Sequence, residues 1–271
     1  SRDLLISGIT SMIGSPKGFG SVKQNSILAL DLNKSILDRA PSFDEIQRIL
    51  GIDDEVLGLP DIISAIDNAS QNSNIKGIRL RADFISAGWA QTRSIRNALD
   101  RFKGSGKFIY SYGDVFTQKG YYLSSISDSI FLNPVGVLEF KGLASEVLYY
   151  KDFQDEYGVK MEVIRHGKYK SAVEPYLQSE MSSENRYQIK TLLNDIWETL
   201  REEIALSRNL DQNTLDKIIN SQLITTPEDG VREGLIDALV YEDDFNKKIK
   251  SHLEFSLNKK LNIASIEIGR A

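Results

Sequence analysis

Short apolar segments alternate with amphipathic helical segments along most of this chain, and this alternation constrains the fold more than any other feature. The segments that favour strands are residues 26–32, 75–81, 108–112, 129–132 and 160–165. Helices are predicted from the spacing of apolar side chains over 60–71, 90–102, 118–125 and 145–157. Strands that are separated by helices pair in parallel, with right-handed crossovers. The order therefore predicts an α/β fold with a mostly parallel sheet and flanking helices.

The part of the chain that follows this alternation is predicted to be helical. The longest helix is expected over 182–207, where apolar side chains recur at helical spacing. Shorter helices are predicted over 212–221 and 227–233. Near the start, a capping-box pattern at 42–45 predicts one more short helix.

No second hydrophobic core and no internal repeat is visible, so we interpret residues 25–250 as a single α/β domain. Residues 1–24 are interpreted as a tail or linker, and residues 251–271 as a C-terminal segment. The apolar run at 4–14 is too short to span a bilayer, which takes about 20 residues. It also lacks the basic region of a signal peptide.

Composition excludes several classes of protein and site. The absence of cysteine excludes both a disulfide framework and a thiol nucleophile. The net charge is −5 and the two signs are mixed along the chain, which argues against a nucleic-acid-binding surface. Only two histidines occur, and no spacing around them resembles a set of metal ligands. We expect His252 on a solvated charged surface, and His166 in packing or hydrogen bonding rather than in catalysis.

A lysine segment that follows the strand predicted at 160–165 is the strongest candidate for chemistry, and it reads RHGKYKSAVEPY over 165–176. Loops at strand ends carry functional side chains in many α/β folds. A lysine acts as a general base only as the neutral amine, and burial favours that form. Taken alone, however, Lys170 is better interpreted as an ordinary surface lysine.

This segment and several others resemble the signal peptide peptidase A family, the membrane-bound bacterial protease IV. The matching strings, in the family's order, are KGI at 76–78, GYY at 120–122, NP at 133–134, KGL at 141–143 and YKSAVEP at 169–175. The resemblance runs from about Asn25 to about Asp244 and is closest to the N-terminal repeat of the two-repeat form. It implies a crotonase or Clp-protease-like spiral of βα units.

The same resemblance implies roles for individual residues. Lys170 would be the general base of a Ser/Lys dyad, with Ser171 and Tyr169 as supporting neighbours. The family's nucleophilic serine stands just before a Gly-Tyr pair, and here Gln118 takes that place. Because an amide cannot attack a peptide carbonyl, this position is degenerate.

The oxyanion hole of such an enzyme comes from backbone N–H groups. The matching loop here is 82–90, in which Gly88 precedes a predicted helix. Since Gln118 removes the nucleophile, we expect this hole to be vestigial.

The function that the resemblance implies is one half of a serine endopeptidase that degrades cleaved signal peptides. Its partners would be a serine-bearing C-terminal repeat, apolar signal-peptide remnants as substrates and further copies in a homo-oligomer. Neither a cofactor nor nucleic acid is expected. The expected location is the bacterial inner membrane, with an anchor upstream of the chain and the soluble part facing the periplasm. Because aromatic residues are enriched at interfaces, candidate contact residues are Tyr121, Tyr122, Tyr169 and the run at 148–150.

Two alternatives stay open. One is a catalytically silent interaction or oligomerisation domain of such a protease, which Gln118 favours for this half. The other is a crotonase-type acyl-CoA enzyme, which needs a pair of catalytic acids near the oxyanion loop. Asp83 is the only acid in that loop, so this alternative has less support.

Overall fold

The computed structural model describes residues 22–39, 56–164, 166–167 and 169–266. The capping-box pattern at 42–45 and the apolar run at 4–14 lie outside the described residues. The chain divides into two compact units within the range that was interpreted as one domain. The first consists of Ser1–Phe140 and Gln222–Ala271, and the second of Lys141–Ser221.

Eight strands are described, all of them in the first unit. They are β1 (Ser26–Asp31), β2 (Ser35–Leu37), β3 (Val56–Gly58), β4 (Ile75–Arg81), β5 (Phe108–Phe116), β6 (Ser129–Leu138), β7 (Ala238–Leu239) and β8 (Asn262–Ala264). Six of them form one sheet in the order β7-β6-β5-β4-β1-β8, and β2 pairs with β3. Every pairing among these strands is parallel. The predicted α/β fold with a mostly parallel sheet and flanking helices is confirmed.

Nine helices are described. They are α1 (Leu59–Gln71), α2 (Trp89–Lys103), α3 (Gln118–Ser124), α4 (Lys151–Tyr157), α5 (Glu174–Leu177), α6 (Ser183–Arg208), α7 (Gln212–Asn220), α8 (Pro227–Arg232) and α9 (Glu242–His252). Helices α4 to α7 belong to the second unit and the others to the first.

The core of the first unit lies on both faces of the large sheet. Leu28 and Leu30 of β1 belong to a buried cluster that includes side chains of α1 and α2. Ile27, their neighbour in β1, belongs instead to a cluster with Phe245 and Ile249 of α9. Because successive side chains of a strand point to opposite faces, the two clusters cover opposite sides of the sheet. Each such buried side chain stabilises the fold by about 1.5–3 kcal/mol relative to its exposure.

Helix α3 packs unusually close to the end of β4. A Cβ atom on Gly120 would lie 2.2 Å from the carbonyl oxygen of Ala82, so no larger residue fits there. The next two residues, Tyr121 and Tyr122, are fully buried. Their interpretation as contact residues of an oligomer is therefore wrong, because they belong to the core.

Two sequence-based predictions in the second unit are wrong. Residues 160–164 form no strand, and they are exposed or half-buried, with Ile164 98% exposed. A strand needs a neighbouring strand for its backbone hydrogen bonds, and no strand is described within this unit. The helix predicted over 145–157 begins only at Lys151.

The buried apolar side chains described in the second unit belong to α6 and α7. Leu200 and Ile204 of α6 are buried, as are Leu215 and Ile218 of α7. Farther toward the N-terminus of α6, the apolar stripe that predicted this helix is less buried: Ile189, Leu193 and Ile196 are half-buried, and Leu192 is 60% exposed. Only part of the stripe is therefore used for packing.

Candidate functional site

The position that the resemblance assigns to the family's nucleophile lies at the start of α3, directly after β5. Gln118 is the first residue of this helix, and Thr117 precedes it as the N-cap. The Thr117 hydroxyl accepts a hydrogen bond from the Gly120 N–H at 3.2 Å and donates one to the Asp83 carbonyl at 2.9 Å. This hydroxyl therefore caps the helix and is not a substitute for the missing serine.

The loop that was predicted to form an oxyanion hole is occupied by the chain's own side chains. Gly88 is the N-cap of α2, and its N–H donates to the Oε1 atom of Gln91 at 2.7 Å. The Nε2 atom of the same Gln91 side chain donates to the Asp38 carboxylate at 2.8 Å. The N–H of Gly88 thus already donates to the side-chain oxygen of Gln91. In a working oxyanion hole, this N–H would donate to the carbonyl oxygen of the substrate.

Lys119 ties α3 to this loop. Its Nζ atom donates to the carbonyl oxygen of Ala87 and lies 5.3 Å from the centre of the Trp89 ring. Burial lowers the pKa of Lys119 from its ordinary value. Neither Lys119 nor Gln91 was predicted from the sequence as a site residue. The only signal for Gln91 was its position three residues after a helix-capping glycine, which is the capping-box spacing.

Charged side chains cover the carboxyl ends of β4 and β5, beside the same loop. Arg81 contacts Asp114 at 2.6 Å and Asp83 at 3.6 Å. Burial raises the pKa of Asp83, although the nearby Arg81 acts in the opposite direction. Burial and the Asp114 carboxylate also raise the pKa of Tyr112 to about 12, so its phenol stays protonated near neutral pH. Both acids near the loop are therefore paired with one arginine.

Lys170 lies in the second unit, in an irregular segment between α4 and α5. It is exposed, and its N–H donates to the carbonyl oxygen of Gly167 at a long 3.5 Å. Tyr169 is 58% exposed, and Ser171 is half-buried. The Ser171 carbonyl accepts a hydrogen bond from the Glu174 N–H at 2.9 Å. Tyr169, Lys170 and Ser171 are thus consecutive residues of the second unit, while Gln118 and Gly88 belong to the first unit.

Of the two histidines, His252 lies far from these groups in the sequence, whereas His166 is four residues before Lys170 in the same segment. His252 is exposed, as predicted, but its ring also packs against Phe108 at 4.4 Å. Its Nδ1 atom lies 3.0 Å from the Tyr110 hydroxyl. His166 is exposed. Within the described residues, no cluster of histidine and acidic side chains could hold a metal ion.

Among the helices of the described ranges, none is both long and apolar enough to cross a lipid bilayer.

Comparisons with known proteins point to one family. The model of peptidase family S49 matches residues 101–256. The chain is 29% identical over 264 residues to Protease 4 of Salmonella typhi, covering 92% of this chain and 43% of that protein. It is 33% identical over 156 residues to Protease 4 of Haemophilus influenzae, with 57% and 25% covered. A third relative is the chloroplastic serine protease SPPA of Arabidopsis thaliana, 28% identical over 241 residues, with 89% and 34% covered. The chain thus spans less than half the length of each of these relatives.

Proposed function

The chain belongs to peptidase family S49, and from this premise we propose that it is the base-bearing half of a serine endopeptidase. The resemblance to signal peptide peptidase A is confirmed by relatives named Protease 4 and SPPA, which match most of the chain. In the proposed enzyme Lys170 is the general base of a Ser/Lys dyad. The nucleophilic serine belongs to a C-terminal repeat of the same chain or of a neighbouring one.

The observation that carries this proposal is the exposure of Lys170 in a segment without regular structure between α4 and α5. A lysine that serves a serine on another repeat must be accessible to that repeat. When the partner covers it, loss of water favours the neutral amine that a general base requires. In the proposed mechanism, Lys170 is therefore exposed in this chain and becomes buried when the serine-bearing repeat packs against it.

The proposed substrates are the apolar remnants of cleaved signal peptides, and the proposed location is the bacterial inner membrane with the soluble part in the periplasm. Both follow from the family resemblance. The proposed chemistry needs only a hydroxyl, an amine and backbone N–H groups, so it calls for no cofactor.

A catalytically silent role for the first unit has support of its own. Gln118 stands at the proposed nucleophile position. The side-chain oxygen of Gln91 accepts the hydrogen bond of the Gly88 N–H. In this second candidate function, the chain shapes the substrate path or the oligomer. The acyl-CoA enzyme is less well supported, because Asp83 and Asp114 both pair with Arg81 instead of standing free as catalytic acids.

The full-length protein that contains this chain is expected to hydrolyse a fluorogenic apolar peptide. A serine-directed fluorophosphonate should label it and stop turnover, because the proposed nucleophile is an activated serine. The measurement is the initial rate before and after labelling, with the labelled peptide mapped by mass spectrometry. A labelled residue within the 271 residues of this chain would contradict the proposed division of roles.

We also expect the purified chain to self-associate, at least weakly. Much of the apolar surface of the second unit is open to solvent, including Leu148, Tyr150, Tyr169 and Leu192. Large exposed apolar patches mark interaction sites in soluble proteins, and these side chains are candidates for such a patch. Light scattering over a range of concentrations should show a rising average mass. The double variant Leu148→Ser with Leu192→Ser should shift the population toward monomer, and a strictly monomeric parent chain would contradict the expectation.

A further inference from the structure

Glu174 is a fully buried carboxylate that sequence analysis did not single out. It is the first residue of α5, and its side chain reaches the start of α6. The Ser182 hydroxyl donates to Oε1 at 2.6 Å, and the Asn185 amide donates to Oε2 at 3.1 Å. The Ser182 N–H points at Oε2 from 3.4 Å. A buried carboxylate is costly unless it is hydrogen-bonded, so these donors account for its position.

The same residue holds the segment that carries Lys170. Residues 159–170 form neither a helix nor a strand where they are described, and nearly all of them are exposed. This segment first meets a buried anchor at Glu174, whose N–H donates to the Ser171 carbonyl at 2.9 Å. Only three residues separate the anchor from Lys170, so the place of Glu174 limits where the lysine can lie.

Helix α5, which begins at Glu174, also contacts residues of α4 and its N-cap within the same unit. The Tyr150 N–H donates to the carbonyl oxygen of Pro175 at 2.7 Å. The Tyr150 and Tyr176 rings stack with their centres 5.7 Å apart, and the Gln154 amide donates to the Tyr176 carbonyl at 3.3 Å. Helix α5 therefore bridges α4 and α6, and the carboxylate of Glu174 makes the connection to α6.

We propose that Glu174 is a positioning residue that sets the place of Lys170 for proton transfer. The inference rests on the proposed function, in which Lys170 takes the proton of a serine on another repeat. A general base must come within about 3 Å of that proton. A misplacement of about 1 Å costs up to about 100-fold in rate. An exposed segment without regular structure does not meet this requirement by itself, and the Glu174 anchor supplies the missing constraint.

The test is Glu174→Gln in the full-length protein. The glutamine keeps the size of the side chain, but it has no charge and only one acceptor oxygen for the three donors of Ser182 and Asn185. We expect kcat to fall by about 10-fold or more, with KM within about twofold of the parent value. Amide hydrogen exchange should accelerate at the hydrogen-bonded N–H groups of Tyr150, Glu174, Tyr176 and Gln178 and stay unchanged over the later turns of α6.

A matched rescue separates this bond from a general loss of stability. In Glu174→Gln combined with Asn185→Asp, the glutamine amide donates to the new carboxylate, and kcat should recover to within about threefold of the parent. Glu180→Gln, at an exposed glutamate of the same unit, is the control and should change neither kcat nor exchange. If Glu174→Gln does not fold, Asn185→Ala removes one donor only and should show a smaller change in the same two measurements.

The results distinguish a failure of this inference from a failure of the proposed function. If Lys170→Arg is inactive while Glu174→Gln keeps the parent kcat and exchange, the positioning role is wrong and the dyad stands. If the double variant recovers nothing, the loss in Glu174→Gln does not come from this bond, and the role is equally wrong. If Lys170→Arg is fully active, the proposed function itself fails.

Discussion

Lys170→Ala in the full-length protein is expected to lower kcat for peptide hydrolysis by about 10²–10⁴-fold, the range that a general base contributes. The serine hydroxyl keeps its proton at neutral pH unless a base removes it as the bond forms. Because Lys170 is exposed in this chain, the substitution should not disturb packing within it. The thermal unfolding midpoint should therefore stay within a few degrees while turnover is lost.

Lys170→Arg distinguishes a base from a positive charge. Arginine has nearly the same reach but stays protonated, so it cannot accept the serine proton. We expect this variant to be as inactive as Lys170→Ala. The matched control is Lys160→Ala, at a lysine of the same unit whose side chain is 85% exposed. Near-normal turnover in either Lys170 variant would show that the dyad assignment is wrong.

Most of the first unit could be predicted from the sequence because its elements carry a clear pattern. The bounds of β4 were predicted to the residue, and those of α1 and α2 to within one residue at each end. These elements are long, and their apolar faces build the core directly. By contrast, β7 and β8 have only two and three residues, too few to show any periodicity. Such strands are defined by the neighbour with which they pair, which the local sequence does not contain.

Two predictions failed in opposite ways: helix α9 was not predicted, and a strand was predicted at residues 160–164 where none forms. Helix α9 was missed because its charged residues mask two buried side chains, Phe245 and Ile249, which are one helical turn apart. Residues 160–164 were predicted as a strand because Met161, Val163 and Ile164 favour one. The sequence does not reveal whether a sheet edge is available to such a segment.

At the candidate site, sequence comparison identified side-chain types but not their contacts. The glutamine at position 118 was visible, and so was Lys170 with its neighbours. That Gln91 binds the N–H of Gly88 depends on a side-chain conformation that only the structure defines. The burial of Glu174 was equally hidden, because its donors come from the start of α6, eight and eleven residues farther along.

The 271-residue chain by itself is expected to have no peptidase activity and to resist labelling by a fluorophosphonate. A base without a nucleophile gives at most slow activation of water. The hydroxyls nearest to Gln118 do not replace the serine, since Thr117 caps α3 and Ser124 is fully buried. The measurement is turnover of a fluorogenic apolar peptide by the purified chain, with the full-length protein as positive control.

Gln118→Ser should not create activity in the isolated chain either. The new hydroxyl would stand beside a loop whose Gly88 N–H already binds Gln91. In the proposed enzyme, Lys170 meets a serine of another repeat and has no role toward position 118. Removing the competing amide as well, in Gln118→Ser with Gln91→Ala, frees the backbone donor but still supplies no base. Stoichiometric labelling with turnover in any of these chains would place a nucleophile and its base within one repeat, and Thr117, Ser124 and Ser171 would then be the first residues to replace.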